Sequence, residues 1–160
     1  MSTGPRNGRL SAILQWWQGV RGGARSPAPA AADVERWVTM YERFGSGNFA
    51  DPPTNAEIRG TIRAVLDEAA LLRTLPHLDE GGLEEHPNCW IASGTDEGPV
   101  FTLDLYRGGM LLFTTRADEE ADDDEPVGEK HGVSIAEAER LFRALRDGRI
   151  AEVEAAFRVA

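Results

Sequence analysis

Hydrophobic and polar residues alternate in the middle of the chain, in the manner of half-buried β-strands. Three short runs have this character, and they are Cys89–Ser93, Val100–Tyr106 and Met110–Thr115. The second run alternates most regularly, with Phe101, Leu103 and Leu105 on one side of the strand. Gly108 and Gly109 separate the second run from the third, and paired glycines are typical of tight hairpin turns. We therefore predict an antiparallel meander here.

Two other segments repeat their hydrophobic residues every three to four positions, which indicates amphipathic helices. The first begins at Thr54, with Glu57 at the capping-box position, and should end before Pro76. Its apolar face is formed by Ile58, Ile62, Val65, Leu66 and Ala69. The second begins at Ser134 and ends at Gly148, with Leu141, Phe142 and Leu145 facing the core. A short final helix is predicted from Ile150, Val153 and Phe157.

Residues 33–44 fit both a helical and a strand pattern. Their tryptophan, valine, threonine and tyrosine content favours a strand, and a turn-rich stretch follows, so we predict a strand over about residues 36–43. The polar segment 77–88 and the acidic segment 116–130 are predicted to be loops. The fold class is therefore α+β, an antiparallel meander with two main helices packed on one face.

The N-terminal segment combines tryptophans with arginines. Its hydrophobic residues have helical spacing, and they are Leu10, Ile13, Leu14, Trp16, Trp17 and Val20. The Pro/Ala-rich stretch 26–32 that follows is typical of an extended linker. We therefore predict a basic helical segment and linker over residues 1–32, and a single domain over residues 33–160.

Three roles are open for this basic helix. A secretory signal is disfavoured, because Gln15, Gln18 and Gly19 interrupt the apolar run. An amphipathic anchor at an anionic membrane surface is the second possibility. Contact with protein, on its own domain or on a partner, is the role we favour. We predict no membrane-spanning helix, since no apolar run approaches roughly 20 residues.

The charge of the chain is distributed unevenly. The net charge is −10, yet residues 1–32 contain four arginines and no acid. Residues 33–160 carry 13 basic and 27 acidic side chains, a net charge of −14. A body of this charge repels a nucleic-acid backbone and attracts basic proteins, so we expect no direct nucleic-acid binding. The single cysteine, Cys89, rules out an internal disulfide and favours a cytoplasmic location.

Two groups of residues have the composition of reactive or metal-binding sites. Cys89 follows His86, but a nucleophilic cysteine needs a correctly placed base, and buried cysteine is the more common case. His77 and His86 lie among four carboxylates, but their separation of nine residues is not a metal-ligand spacing. We therefore expect a protein that is not an enzyme and that has no metal or cofactor.

The acidic segment is the strongest candidate for partner binding. Asp118–Glu125 holds seven acids in eight positions, without the spacing or central glycine of an EF-hand. Dense carboxylates speed association with a cationic surface, although a merely solubilising loop is equally compatible with this composition. The candidate residues are Asp118, Glu119, Glu120, Asp122, Asp123, Asp124 and Glu125, with Asp104 and Tyr106 on the sheet as contact residues.

The stretch Trp37–Gly148 resembles the small immunity proteins of bacterial polymorphic-toxin systems, in particular those that neutralise deaminase-type toxins. The resemblance rests on the segments PPTNAEIRGTIRAVL, NCWIASG, VFTLDLYRGGMLLFTT and VSIAEAERLFRALRDGR. It implies an α+β fold, an acidic surface and inhibition by occupying the active face of a toxin. Two features depart from the pattern. Phe157 stands near the position where the family often has a tryptophan, and the basic N-terminal segment has no counterpart.

These observations lead to two hypotheses about function. The first is a non-catalytic, cytoplasmic bacterial protein that blocks a basic toxin or enzyme by direct contact. The alternative is an accessory subunit that docks to a larger assembly or a membrane surface through its N-terminal Trp/Arg helix.

Overall fold

The computed structural model describes residues 35–44, 52–118 and 120–158. All of them belong to one compact unit, Val34–Ala160. The elements in chain order are β1 (Arg36–Tyr41), α1 (Asn55–Leu66), α2 (Glu68–Thr74), α3 (Glu80–Glu85), β2 (Asn88–Thr95), β3 (Val100–Tyr106), β4 (Met110–Arg116), β5 (Glu125–Lys130), α4 (Ile135–Arg146) and α5 (Ile150–Phe157). The predicted N-terminal helix lies outside the described residues, and with it Leu10, Ile13, Leu14, Trp16, Trp17 and Val20.

The five strands form one sheet in the order β1-β2-β3-β4-β5, and every neighbouring pair is antiparallel. The α+β meander predicted from the sequence is therefore confirmed. The core lies between the helices and one face of the sheet. Its strand residues are Met40, Cys89, Ile91, Leu103, Leu105, Leu111 and Phe113, and its helix residues include Ile58, Ile62, Val65, Leu141, Phe142, Leu145 and Val153.

The ends of α1 and α4 follow the capping signals in the sequence. At α1 the Glu57 amide donates to Thr54 Oγ1 (3.3 Å), and the Thr54 amide donates to Glu57 Oε2 (2.6 Å). These hydrogen bonds hold the pKa of Glu57 below its usual value. At α4 the Glu137 amide donates to Ser134 Oγ (3.2 Å), but the Glu137 carboxylate pairs with Lys130 instead. The capping box is thus complete at α1 and half formed at α4.

The acidic segment 116–130 was predicted to be a loop throughout, and this is wrong for its second half. Residues 125–130 form β5, which pairs with β4 from Leu111 to Thr115. The backbone groups of β4 obtain partners in this way, and α5 packs beside the new strand. Gly128 leaves room for that packing, since a Cβ there would lie 2.9 Å from Phe157.

Two further details differ from the prediction. The first predicted helix is interrupted at Asp67, whose side chain caps α2 by accepting a hydrogen bond from the Ala70 amide (3.1 Å). Ala69, expected on the apolar face, is exposed as a result. The predicted loop 77–88 contains α3, because Asp79 accepts from the Gly82 amide (2.9 Å) and Leu83 is buried at 2% exposure.

Candidate interaction surface

The sheet has two faces of different chemistry. Met40, Ile91, Leu103 and Phe113 lie directly opposite one another on β1 to β4 and point into the core. Side chains alternate along each strand, so the residues between them point to the other face. None of those residues belongs to the core formed by the described helices. We call this second surface the open face.

Two neighbouring cross-strand rows make up the centre of the open face. The first, the aromatic–acidic row, consists of Tyr41, Trp90, Asp104, Leu112 and Glu129. The second, the small row, consists of Thr39, Ala92, Thr102 and Thr114. Large side chains therefore stand beside a strip of small ones, and two of the small residues, Ala92 and Thr114, are buried at 5% and 7% exposure.

The aromatic–acidic row is ordered by contacts between its members. The rings of Tyr41 and Trp90 stack almost parallel, with centroids 5.6 Å apart and an interplanar angle of 5°. Asn88 Nδ2 donates to Asp104 Oδ1 (2.6 Å), and the Tyr106 hydroxyl donates to Asp104 Oδ2 (2.8 Å). Each carboxylate oxygen thus has its own donor, which fixes the plane of the carboxylate beside the aromatic pair.

Sequence reasoning identified part of this face. Asp104 and Tyr106 were predicted as contact residues, and the structure brings them together through their hydrogen bond. Tyr41 and Trp90 were missed, although Tyr41 is a large hydrophobic residue with 37% exposure. Their position depends on the pairing of β1 with β2, across nearly fifty residues of chain, and no local pattern specifies that register.

The acidic segment lies next to one end of the open face. Arg116, the last residue of β4, is opposite Val100 and forms an ion pair with Asp124 (3.0 Å). Asp118 accepts hydrogen bonds from the amides of Glu120 and Ala121, both at 2.9 Å, which makes a turn at the start of the segment. Glu120, Asp122, Asp123, Asp124 and Glu125 are exposed. Glu119 lies outside the described residues.

Cys89 does not have the surroundings of a nucleophile. The residue is fully buried on the core side of β2, opposite Leu105 on β3. Burial raises the pKa of the thiol far above its usual value, and the charge of Asp104 raises it further. The reactive form of cysteine is the thiolate, so Cys89 stays protonated and inert at neutral pH.

The two histidines of segment 77–88 are not placed together as the ligands of one metal ion would be. His86 packs its ring edge-on against Phe44, with centroids 5.4 Å apart, and His77 is exposed. Over residues 35–44, 52–118 and 120–158, no group of three or more His, Cys, Asp or Glu side chains is arranged to hold a metal ion. Within the same ranges, every helix is too short or too polar to cross a membrane.

The chain was also compared with known proteins. No protein-family model, curated protein or solved structure matches it.

Proposed function

We propose that this protein is a non-catalytic binding protein that blocks a basic protein, a toxin or an enzyme, by covering it with the open face of the sheet. The single observation that supports the proposal is the aromatic–acidic row. It places a stacked tyrosine–tryptophan pair next to an oriented carboxylate on the face that the core does not use.

The chemistry of this face suits a protein partner. Tyrosine and tryptophan are enriched at the centres of protein interfaces, where they supply large apolar area with few rotatable bonds. Asp104 and Glu129 add negative charge within the same row. The exposed acids from Glu120 to Glu125 extend that charge beyond the edge of the face. A basic partner would therefore meet complementary charge and an apolar centre together.

An inhibitor of this kind works by occupation. It needs no reacting group of its own, only a surface that fits the active face of its target and excludes the substrate. A cytoplasmic bacterial immunity protein is the form of this function that agrees with the resemblance noted for Trp37–Gly148. Cys89, the candidate nucleophile of the sequence analysis, is buried and its thiol pKa is raised, which supports a role without catalysis by this residue.

The test is capture of partners from the native host with full-length protein and two variants. Thr102→Arg adds a long cation to the middle of the small row, where it would block the face and repel a basic partner. Ala151→Arg adds the same side chain at an exposed position of α5 and serves as the matched control. Circular dichroism and thermal unfolding verify that both variants are folded.

We expect mass spectrometry to identify a basic protein that wild type and Ala151→Arg retain and that Thr102→Arg loses. The purified protein should then inhibit that partner in its own assay at equimolar concentration. Retention of the partner by Thr102→Arg at the wild-type level would show that binding uses another surface.

A further inference from the structure

The two edges of the sheet differ in how well they are protected against pairing with another strand. β1 is the outermost strand at one side of the sheet, and β5 is the outermost strand at the other. The outer side of an edge strand presents a row of backbone N–H and C=O groups, which can pair with a strand of another molecule. We propose that β1 pairs with β1 of a second copy of this chain, in an antiparallel dimer with two-fold symmetry. The proposal does not depend on the proposed function.

β5 carries the features by which natural proteins protect an edge. Pro126 has no backbone N–H to donate. Three of the other five residues are charged, and they are Glu125, Glu129 and Lys130. The pairing of β5 with β4 also shifts register beyond Phe113. Prolines, charges and such irregularities all oppose the addition of a further strand, so β5 is a poor edge for association.

β1 has none of these features. Its sequence, Arg36–Tyr41, contains no proline and no lysine, and its register with β2 is regular over all six residues. Tryptophan, valine, threonine and tyrosine, which make up most of it, are typical of strands. Its one charged side chain, Arg36, donates to Ser93 Oγ (3.1 Å) and to the Leu145 carbonyl (3.3 Å). That charge is therefore held against β2 and α4, and β1 is a regular edge.

The order of side chains along β1 selects one register for the pair. In a two-fold pair centred on Thr39, this residue faces its own copy. Val38 then faces Met40 on the core side of the sheet. On the open face, Trp37 takes the position opposite Tyr41. Apolar or aromatic side chains thus stand opposite one another on both faces, and such cross-strand pairs stabilise antiparallel strands.

The neighbouring symmetric registers fit less well. Opposed side chains must lie on the same face, so the centre is a residue and not a point between two residues. A centre at Val38 would place Arg36 opposite Met40. A centre at Met40 would place Val38 opposite Glu42. Both registers set a charge against an apolar residue of the core side, which costs free energy. The centre at Thr39 avoids this conflict.

The geometry of the pair has two consequences. Each copy keeps its side chains on the same face, so the two-fold axis is perpendicular to the sheet. Two five-stranded sheets would become one continuous sheet with both open faces on the same side. A single strand pair is a small interface, so we expect a reversible dimer whose fraction rises with protein concentration.

The first experiment measures the molar mass of the full-length protein by size exclusion with light scattering, over a wide range of concentration. The variant Thr39→Lys places two like charges opposite each other at the proposed axis. Thr102→Lys adds the same side chain to the same face in the middle of the sheet, and it is the matched control. Circular dichroism verifies that each variant is folded.

The second experiment tests the register by cross-linking. Directly opposed residues of antiparallel strands have Cα atoms about 4.5–5.5 Å apart, a distance that a disulfide spans. Thr39→Cys should therefore form a covalent dimer under mild oxidation, whereas Thr102→Cys should not. The native Cys89 gives no background, because it is buried at 0% exposure.

We expect wild type and Thr102→Lys to dimerise as the concentration rises. Thr39→Lys should raise the dissociation constant of the dimer about tenfold or more, because like charges would be directly opposed. A wild-type protein that stays monomeric at every concentration would overturn the proposal. A dimer that Thr39→Lys leaves unchanged would do the same, since the copies would then associate through another surface. Covalent dimers that form equally well with Thr39→Cys and Thr102→Cys, or with neither, would overturn the register.

Discussion

Arg43 shows how one residue holds several elements of this fold together. Its side chain has 0% exposure. The guanidinium donates to the carbonyl oxygens of Ala64 (2.6 Å), Leu83 (3.1 Å) and His86 (2.7 Å), and to Glu68 Oε1 (2.7 Å). The end of α1, the end of α3 and the start of α2 therefore meet at one buried cation, which donates to three carbonyl groups.

Replacing Arg43 by methionine should destabilise the protein by about 3–5 kcal/mol, because several buried acceptors would lose their donor together. Urea unfolding at pH 7 measures this change. Arg73→Met on the exposed side of α2 is the control and should stay within about 0.5 kcal/mol of wild type. A loss below about 1 kcal/mol for Arg43→Met would mean that water or rearranged side chains replace these hydrogen bonds.

Glu68 links Arg43 to a second arginine and makes stability depend on pH. Burial alone would raise the pKa of Glu68, but hydrogen bonds from Arg107 (2.6 and 3.0 Å) and Arg43 (2.7 Å) outweigh it and lower the pKa below the ordinary value of 4.5. A carboxylate with a lowered folded-state pKa stabilises the protein above its unfolded-state pKa. That contribution is lost as the pH falls through the folded value.

We therefore expect wild type to lose stability from about pH 5 downward, and Glu68→Gln to lose less over the same interval. The free-energy difference between the two proteins should be constant near neutral pH and shrink in acid. Urea unfolding at pH 7, 5, 4 and 3 measures it. A difference that stays the same at all four pH values would contradict the assigned role of Glu68.

At the scale of elements, the turn between β3 and β4 depends on its two glycines in different ways. Gly108 and Gly109 both have positive φ, 78° and 80°. A Cβ at Gly108 would meet nothing within 4 Å, whereas one at Gly109 would lie 3.2 Å from both the nitrogen and the oxygen of Val133. The Val133 amide also donates to the Gly109 carbonyl (3.0 Å). This hydrogen bond joins the turn to the segment that leads into α4.

Gly108→Ala should cost about 1–2 kcal/mol, the strain of the left-handed conformation alone. Gly109→Ala should cost clearly more, because the backbone of Val133 would also have to move. The two variants control for each other, and thermal unfolding followed by circular dichroism ranks them. Equal losses of stability in the two variants would show that the segment around Val133 can move away from the new Cβ without an energetic cost.

At the scale of the whole molecule, the acidic segment and the open face are proposed to act at different stages of binding. Long-range charge accelerates the encounter, and short-range contacts determine how long the complex lasts. Asp122 and Asp123 are exposed in the acidic segment, and Glu84 and Glu85 are exposed on α3, the helix that directly precedes β2. These two pairs have equal charge and different positions, which allows steering to be separated from net charge.

With the captured partner, Asp122→Asn/Asp123→Asn should lower the association rate about two- to fivefold at low salt and flatten its salt dependence. The dissociation rate should stay near the wild-type value. Glu84→Gln/Glu85→Gln should have a smaller effect on association. Stopped-flow measurements over a range of ionic strength make the comparison. If the two double variants lowered the association rate equally, the cause would be the net charge of the protein and not the position of the acidic segment.

The sequence by itself determined the features that depend on near neighbours in the chain. Alternation in Val100–Tyr106 predicted a strand with the correct buried side, and Thr54 with Glu57 predicted the start of α1. Pleating and capping act over two to four residues, so local patterns are sufficient for them. The meander and its packed helices followed from these elements.

Only the tertiary structure decided the features that join distant residues. The charged stretch 125–130 became β5 because β4 supplied a partner for its backbone, and Asp67 divided a helical pattern that looks continuous in sequence. The register of β1 on β2, and of β2 on β3, placed Tyr41, Trp90 and Asp104 in one row. A slip of one residue would send each of these side chains to the opposite face, and packing of the core excludes that slip. The candidate site is therefore a product of strand register, which the packed core sets.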